Sequence, residues 1–190
     1  MGAEVEPRSA DITRAEDVQA LFSQAVDRFG GLEVLVNNTC GPHIGTFDSF
    51  GDEDWQAAFE LVLPSLIRAL RGALPLMRQR GGYIVNIASS SIKQPIENLI
   101  FSNTFRAGIL GFAKSLSVEL VPDGILINTL GPGRISTARS QSIDERNAEA
   151  ARVPVEEVRG RVEFQIPLGR YGAPEELARV AAFLASPANT

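Results

Sequence analysis

The segment Tyr83-Ile84-Val85-Asn86-Ile87-Ala88-Ser89 is the part of the sequence that decides the fold. An apolar run this short and almost unbroken is typical of a strand buried on both faces of a parallel sheet. Polar residues begin at Ser89, directly after the run. Because ligands bind at the carboxyl ends of the strands in such sheets, we expect Ser89 to lie at a ligand site.

Three other segments are predicted to be strands. Leu32 to Val36 and Ile125 to Thr129 are apolar runs of the same kind. Val5 to Asp11 is a shorter candidate, which Pro7 restricts to an edge or an end of the sheet because proline donates no backbone hydrogen bond. Polar or turn-forming segments follow the two longer runs: Asn37-Asn38-Thr39 and Leu130-Gly131-Pro132-Gly133. We expect both to lie beside Ser89, in a crevice at the carboxyl ends of the strands.

Helical patterns separate these strands. Thr13-Arg14-Ala15-Glu16 has the form of a capping box, and apolar residues then recur at helical spacing from Val18 to Phe29, before Gly30-Gly31. The chain after the strand at Ile125 to Thr129 is polar until Val155, and we predict no regular element between them. A long helix is predicted from Asp52 or Asp54 to about Arg80, with kinks at Pro64 and Pro75. Further helices are predicted from Leu99 to about Leu120, from Val155 to Gln165, and from Ala173-Pro174-Glu175-Glu176 onward.

Strands that alternate with helices predict an α/β fold in which a doubly wound parallel sheet carries helices on both faces. The length of 190 residues suits one domain, so we expect residues 1–190 to form a single Rossmann-like unit.

Composition excludes several classes of function. The net charge of -5, without a cluster of Lys and Arg, argues against a nucleic-acid-binding surface. No apolar stretch approaches the length of a membrane span, and no residue cluster predicts a metal site. The single cysteine, Cys40, fits a reducing compartment, so we expect a cytoplasmic protein with a small-molecule ligand. We expect the Cys40 side chain to be buried or half-buried.

Taken in order, these motifs resemble the short-chain dehydrogenase/reductase family, including members labelled as oxoacyl carrier-protein reductases. The resemblance extends over nearly the whole chain. The segments that carry it are Asp11-Ile12-Thr13, Val34-Leu35-Val36-Asn37-Asn38, Ile84 to Ser89, Pro132-Gly133 with Ile135 and Thr137, Pro167-Leu168-Gly169-Arg170, and Pro174-Glu175-Glu176.

The resemblance implies an oxidoreductase that uses NAD or NADP on a carbonyl or alcohol substrate. It makes Ser89 the residue that binds the substrate oxygen. It also implies a homodimer or homotetramer built through helices 54–80 and 102–120. The residues that it places against the cofactor are Asp11, Ile12, Asn37, Asn38, Thr39, Pro132, Gly133, Ile135 and Thr137.

The chain departs from the family at two catalytic positions. The family has a Tyr thirteen residues after this Ser and a Lys four residues later, where this sequence has Ser102 and Arg106. A phenol has a pKa of about 10, which a nearby Lys lowers further, whereas an aliphatic hydroxyl is a far weaker acid. Arginine keeps its proton, so charge stabilisation survives here and the proton relay does not.

Three interpretations stay open at this point. The first is an impaired oxidoreductase, with Ser89, Ser102 and Arg106 at the catalytic positions. The second is a lyase similar to the halohydrin dehalogenases, which share the fold, use an Arg at this spacing and need no nicotinamide. The third is a non-catalytic relative that acts in binding or assembly. Arg106 could instead form a surface ion pair with Glu97 or Glu119.

The sequence contains no Gly-x-x-x-Gly-x-Gly loop, which in this family holds the pyrophosphate at a helix N-terminus. The resemblance therefore implies that the first two strands and the last strand of the family are absent, through truncation or a mis-set start codon that the upstream reading frame would reveal. We expect such a chain to bind a dinucleotide poorly, and its strand at Leu32 to Val36 to form an open apolar edge.

Overall fold

The structure is a computed structural model that describes residues 4–190. Strands and helices alternate through the first two thirds of the chain, and three helices follow the last strand. In chain order the elements are α1 (Ala15–Phe29), β1 (Val34–Asn37), α2 (Asp52–Met77), β2 (Gly82–Ile87), α3 (Ile100–Leu120), β3 (Ile125–Leu130), α4 (Ala138–Ala151), α5 (Val155–Gln165) and α6 (Pro174–Leu184).

The three strands form one parallel sheet in the order β1-β2-β3. Val85 of β2 is aligned with Val36 of β1 on one side and with Asn128 of β3 on the other. The predicted α/β fold with a doubly wound parallel sheet is therefore confirmed. Strand β1 lies at the edge, with Val34 37% and Val36 48% exposed, as the resemblance implied.

The core lies between β2 and the two long helices. The side chains that α2 and α3 turn inward pack on the middle of the sheet, so that the helices cover one of its faces. Helix α2 continues through both Pro64 and Pro75. The buried members of this cluster are Val62, Leu66, Leu70, Ala73, Met77, Ile84, Ile109, Leu120 and Ile125.

The predicted strand at Val5 to Asp11 is wrong. This segment forms no regular element, pairs with no strand of the described residues, and lies along α1 instead. The Arg8 guanidinium donates to the Gln24 side chain at 2.9 Å, which ties the segment to the helix. A strand needs a neighbour for its backbone donors and acceptors, and no strand lies on the outer side of β1 in residues 4–190 to supply one.

The predicted capping box at Thr13 is also wrong. Helix α1 begins after Arg14, which makes no side-chain cap. The Thr13 hydroxyl and backbone N–H both donate to one carboxylate oxygen of Asp11, at 2.7 Å and 2.9 Å. An Asp side chain that binds the backbone two residues later closes a turn of its own, so Thr13 is already used before the helix starts.

Helix α4 was not predicted. Its three buried residues are Ser140, Asp144 and Ala148, spaced four apart on one face, and two of the three are polar. A helix that buries polar side chains gives no apolar period in the sequence, so the usual signal is missing. Its start is set by the Thr137 hydroxyl, which accepts from the backbone N–H of Ser140 at 3.3 Å.

Among the described residues, no helix combines the length and apolarity that crossing a bilayer requires.

Candidate active site at the carboxyl edge of the sheet

Ser89 lies where β2 ends, at the edge that the sequence indicated. Its backbone is extended, and its side-chain oxygen accepts from the N–H of Ser91 at 3.2 Å, which starts a short turn. Two backbone hydrogen bonds join this segment to the one after β3, from Ala88 to Leu130 at 2.8 Å and from Ser90 to Pro132 at 2.9 Å. The structure therefore brings Ser89 beside the Pro132-Gly133 loop.

Arg106 is buried against the end of β2. Its side chain is 6% exposed, and its Nη1 donates to the carbonyl oxygens of Ile87 at 3.1 Å and Ala88 at 3.0 Å. Burial lowers the pKa of the guanidinium, yet an Arg still stays protonated at neutral pH. The alternative of a surface ion pair is wrong, because the charge points into the sheet edge. Arg106 ties α3 to the two residues that precede Ser89.

Ser102 lies one turn before Arg106 on α3. Residues four apart on a helix face the same side, so both project toward one region of the crevice. Ser102 is half-buried, and its hydroxyl has no hydrogen-bond partner among residues 4–190. The start of α3 is held by Asn103, whose side-chain amide donates to the carbonyl of Ile96 at 2.8 Å and accepts from the backbone N–H of Ile96 at 3.1 Å. Ser102 is thus available to a ligand and not needed as a cap.

The segment after β1 divides into buried and accessible residues. The buried Asn37 amide donates to the side chain of Asn86 at 2.9 Å and so joins β1 to β2. Asn38 is exposed and Thr39 half-buried, so their side chains are free to meet a ligand. The expectation of a buried or half-buried Cys40 is wrong, because its thiol is exposed at this edge.

The segment after β3 crosses the crevice. Ile135 pairs with Gly172 through a backbone bridge, and Thr137 caps α4. Arg139, in the first turn of α4, donates from Nη2 to the carbonyl of Pro42 at 2.7 Å and so reaches the segment after β1. The sequence analysis missed Arg139. A positive charge in the first turn of a helix opposes the macrodipole, but this signal could not be used because helix α4 itself was not predicted.

Asp11 and Ile12 are not brought to this crevice by any contact of the described residues. The Asp11 carboxylate binds Thr13, and its backbone N–H donates to Asp17 at 2.9 Å. These contacts stay within the turn before α1 and the first turn of that helix. The hydrogen bond from Thr13 is the main cause that lowers the pKa of the Asp11 carboxyl.

A second polar cluster, also missed, holds the helices over the crevice. The Tyr171 hydroxyl lies 2.8 Å and 3.0 Å from the two carboxylate oxygens of Asp144, which is 2% exposed. The guanidinium of Arg159, from α5, lies 4.9 Å from the centre of the Tyr171 ring. Burial raises the pKa of Tyr171 to about 12, so it remains a donor at neutral pH. This cluster fastens α4 and α5 to the segment before α6.

Open backbone at this edge leaves room for the nicotinamide half of a dinucleotide. A side chain added at Gly133 would meet no atom within 4 Å, so this backbone faces open space. At Gly131, by contrast, an added Cβ would come within 3.1 Å of the Ser89 carbonyl oxygen. Gly131 therefore lets the loop after β3 approach the loop after β2, and the open Gly133 presents bare backbone to the crevice. For the pyrophosphate half, the glycine-rich loop does not occur in the sequence.

The chain matches known proteins over nearly its full length. A family model described as Enoyl-(Acyl carrier protein) reductase matches residues 1–190. The 3-oxoacyl-[acyl-carrier-protein] reductase FabG of Vibrio cholerae is 31% identical over 93% of this chain and 68% of its own length. The NADPH-dependent reductase BacG of Bacillus subtilis is also 31% identical, over 94% of this chain and 69% of its own length.

A solved structure agrees with these matches. A single-residue variant of the actinorhodin polyketide ketoreductase, crystallised with NADPH, is 33% identical and superposes with a TM-score of 0.91 over 96% of this chain and 71% of its own. The two sequence relatives and the solved structure are all reductases, and two of the three are described with NADPH. The chain belongs to the short-chain dehydrogenase/reductase family.

Proposed function

We propose that this chain carries a slow, nicotinamide-dependent reductase site for a carbonyl or alcohol substrate. The observation that carries the proposal is the pair of hydrogen bonds from Arg106 to Ile87 and Ala88. These bonds fix the strand end that presents Ser89, so its hydroxyl is held in place to donate to a substrate oxygen. Arg106 acts on Ser89 by positioning it.

This site has no side chain that can act as a general acid near neutral pH. Ser102 and Arg106 stand where the family has its Tyr and Lys, and neither side chain releases a proton near neutral pH. The proton for the product alcohol must then come from water that reaches the half-buried Ser102. Loss of a positioned general acid lowers a rate by about 10²–10⁴-fold, which is why we propose a slow enzyme.

We propose NAD or NADP as the cofactor, supported by the NADPH-dependent BacG and by the ketoreductase crystallised with NADPH. The bound nicotinamide would supply the hydride. The residues that could hold it are those on the open side of the crevice: Asn38, Thr39, Pro132, Gly133, Ile135 and Thr137. Because the sequence lacks the glycine-rich loop, we expect the 190-residue chain to need NADPH at about millimolar concentration.

Replacing Ser89 with Ala tests the assignment of the substrate-binding hydroxyl. We expect kcat/KM for ketone reduction to fall about 10²-fold, the usual loss when one positioned donor to a developing oxyanion is removed. NADPH oxidation, followed by absorbance at saturating cofactor, measures the change. Ser90→Ala removes a hydroxyl from the neighbouring residue and serves as the matched control. Equal rates in the two variants would show that Ser89 does not bind the reacting oxygen.

We also propose that two copies associate through α2 and α3. The support is a face of α3 with small exposed residues at helical spacing, Thr104, Ala107, Gly111 and Ser115, next to Val118, which is 74% exposed. Small residues let two helices approach closely, and the exposed valine gives the face an apolar contact.

Gly111→Arg tests this interface. A side chain added at Gly111 meets nothing within 4 Å in one copy, so the variant should fold and fail to associate. We expect light scattering after size exclusion to give twice the chain mass for the parent and one chain mass for the variant. Gly160→Arg places the same residue at an equally open glycine of α5 and should leave the mass unchanged. A dimeric Gly111→Arg variant would rule this interface out.

A further inference from the structure

Two arginines that converge on the crevice have no carboxylate partner. Arg106 comes from α3 and Arg139 from the first turn of α4. Within residues 4–190, neither guanidinium lies within 4.0 Å of an Asp or Glu oxygen, although many other arginines do. Both guanidinium groups instead donate to backbone carbonyls, of Ile87 and Ala88 and of Pro42.

The buried position of Arg106 is unfavourable for an unpaired cation, whereas the Arg139 side chain is exposed. Burial lowers the pKa of Arg106, and the positive charge of Arg139 lowers it further. Partial burial lowers the pKa of Arg139, and its charge, in the first turn of α4, opposes the macrodipole of that helix. The neighbouring Cys40 raises the pKa of both arginines and so offsets part of these effects. A partly desolvated cation destabilises the fold unless an opposite charge approaches it. An anion at this edge would remove that cost for Arg106 and would offset the unfavourable position of Arg139 at the start of α4.

Donors remain free to meet such an anion. Arg106 uses Nη1 for its two carbonyls, and Arg139 uses Nη2 for one. The remaining N–H groups of both side chains have no hydrogen-bond partner in the described part of the chain. A guanidinium presents its donors as a planar fork that matches the paired oxygens of a carboxylate or phosphate.

We propose that Arg106 and Arg139 form an oxyanion-binding site, so that the substrate of the reductase site is an anionic carbonyl compound. The inference rests on the proposed function for the carbonyl and on the two arginines for the charge. Arg106 contacts Ala88, the residue before Ser89, so the anionic group would lie close to the carbonyl that Ser89 holds. A short oxo acid or a phosphorylated ketone has this arrangement.

Binding without cofactor tests the site independently of turnover. The probes are acetoacetate against its neutral methyl ester, and dihydroxyacetone phosphate against dihydroxyacetone, each titrated by calorimetry. A second readout is the rate at which a thiol reagent modifies Cys40, the only cysteine, which is exposed at the same edge. We expect at least one anion to bind about tenfold more tightly than its neutral partner and to slow this labelling.

Arg139→Gln should weaken that anion about tenfold while leaving the neutral compound unchanged. Arg71→Gln removes the same charge from an exposed position of α2 and is the matched control. Arg106→Lys, which keeps the charge and loses the fork, should also weaken the anion, with circular dichroism verifying that it folds. Whichever anion responds identifies a carboxylate or a phosphate as the group bound.

Two outcomes would overturn the inference. One is that both anions bind no better than their neutral partners, and the other is that Arg139→Gln and Arg71→Gln lose affinity equally. Anion binding without any reduction would instead remove the proposed reductase activity and leave the site standing. Reduction of neutral ketones without anion binding would remove the anion site and leave the proposed reductase activity standing.

Discussion

The double variant Ser102→Tyr with Arg106→Lys should reduce ketones about 10²-fold faster than the parent chain, the lower end of what a positioned general acid contributes. Both positions lie on one face of α3, four residues apart, and helix geometry therefore keeps the new phenol and ammonium adjacent. The ammonium lowers the pKa of the phenol from about 10 toward neutral pH, which the Ser102 hydroxyl cannot reach.

The comparison needs a variant with the same bulk and no acid. Ser102→Phe with Arg106→Lys supplies it, since only the phenolic hydroxyl differs. We expect the gain to be in kcat, measured at saturating NADPH, and to be absent from the Phe variant. A folded double variant with no gain would mean that position 102 does not face the reacting oxygen.

Replacing Tyr171 with Phe should lower the free energy of unfolding by about 3 kcal/mol, because it leaves a buried carboxylate with unmet hydrogen bonds. Asp144 would lose both contacts to the hydroxyl, at 2.8 Å and 3.0 Å, and would keep its longer ion pair with Arg134, at 4.0 Å. Urea denaturation followed by circular dichroism measures the change. Tyr83→Phe makes the same substitution at the only other tyrosine, whose hydroxyl binds no group in residues 4–190, and should change stability by less than about 0.5 kcal/mol.

The Tyr171 hydroxyl also makes the free energy of unfolding depend on pH. The folded-state pKa of Tyr171, about 12, lies above the ordinary value of 10. A raised pKa means that its stabilising contribution is complete below pH 10 and is lost as the pH rises toward 12. The parent chain should therefore lose stability over this range more steeply than Tyr171→Phe. Equal stability of the Tyr171→Phe and Tyr83→Phe variants would contradict the assignment of a structural bond to Asp144.

The sheet could be predicted because its strands are read locally. The run from Tyr83 to Ile87 is apolar in itself, and the structure places a strand at Gly82–Ile87. Helix α5, predicted at Val155 to Gln165, has those same bounds. The segment at Val5 to Asp11 failed for a non-local reason, since an extended run becomes a strand only where a neighbour pairs with it.

The polar contacts could not be predicted because they join distant parts of the chain. Tyr171 and Asp144 are 27 residues apart, and Arg139 reaches Pro42 across 97. The position of Arg106 followed from its spacing after Ser89, but its burial did not, because an Arg on a helix is usually solvated. Only the folded chain shows that its charge points at the strand end.

The central claim is that Ser89, held by Arg106, presents a carbonyl to a nicotinamide. Hydride transfer can be followed directly by incubating the chain with ketone and millimolar NADPH that carries deuterium at the transferred position, and analysing the alcohol by mass spectrometry. We predict one deuterium on the new carbinol carbon, at a yield that falls about 10²-fold in Ser89→Ala. Product without deuterium, or equal labelling by the Ser89→Ala variant, would contradict the account.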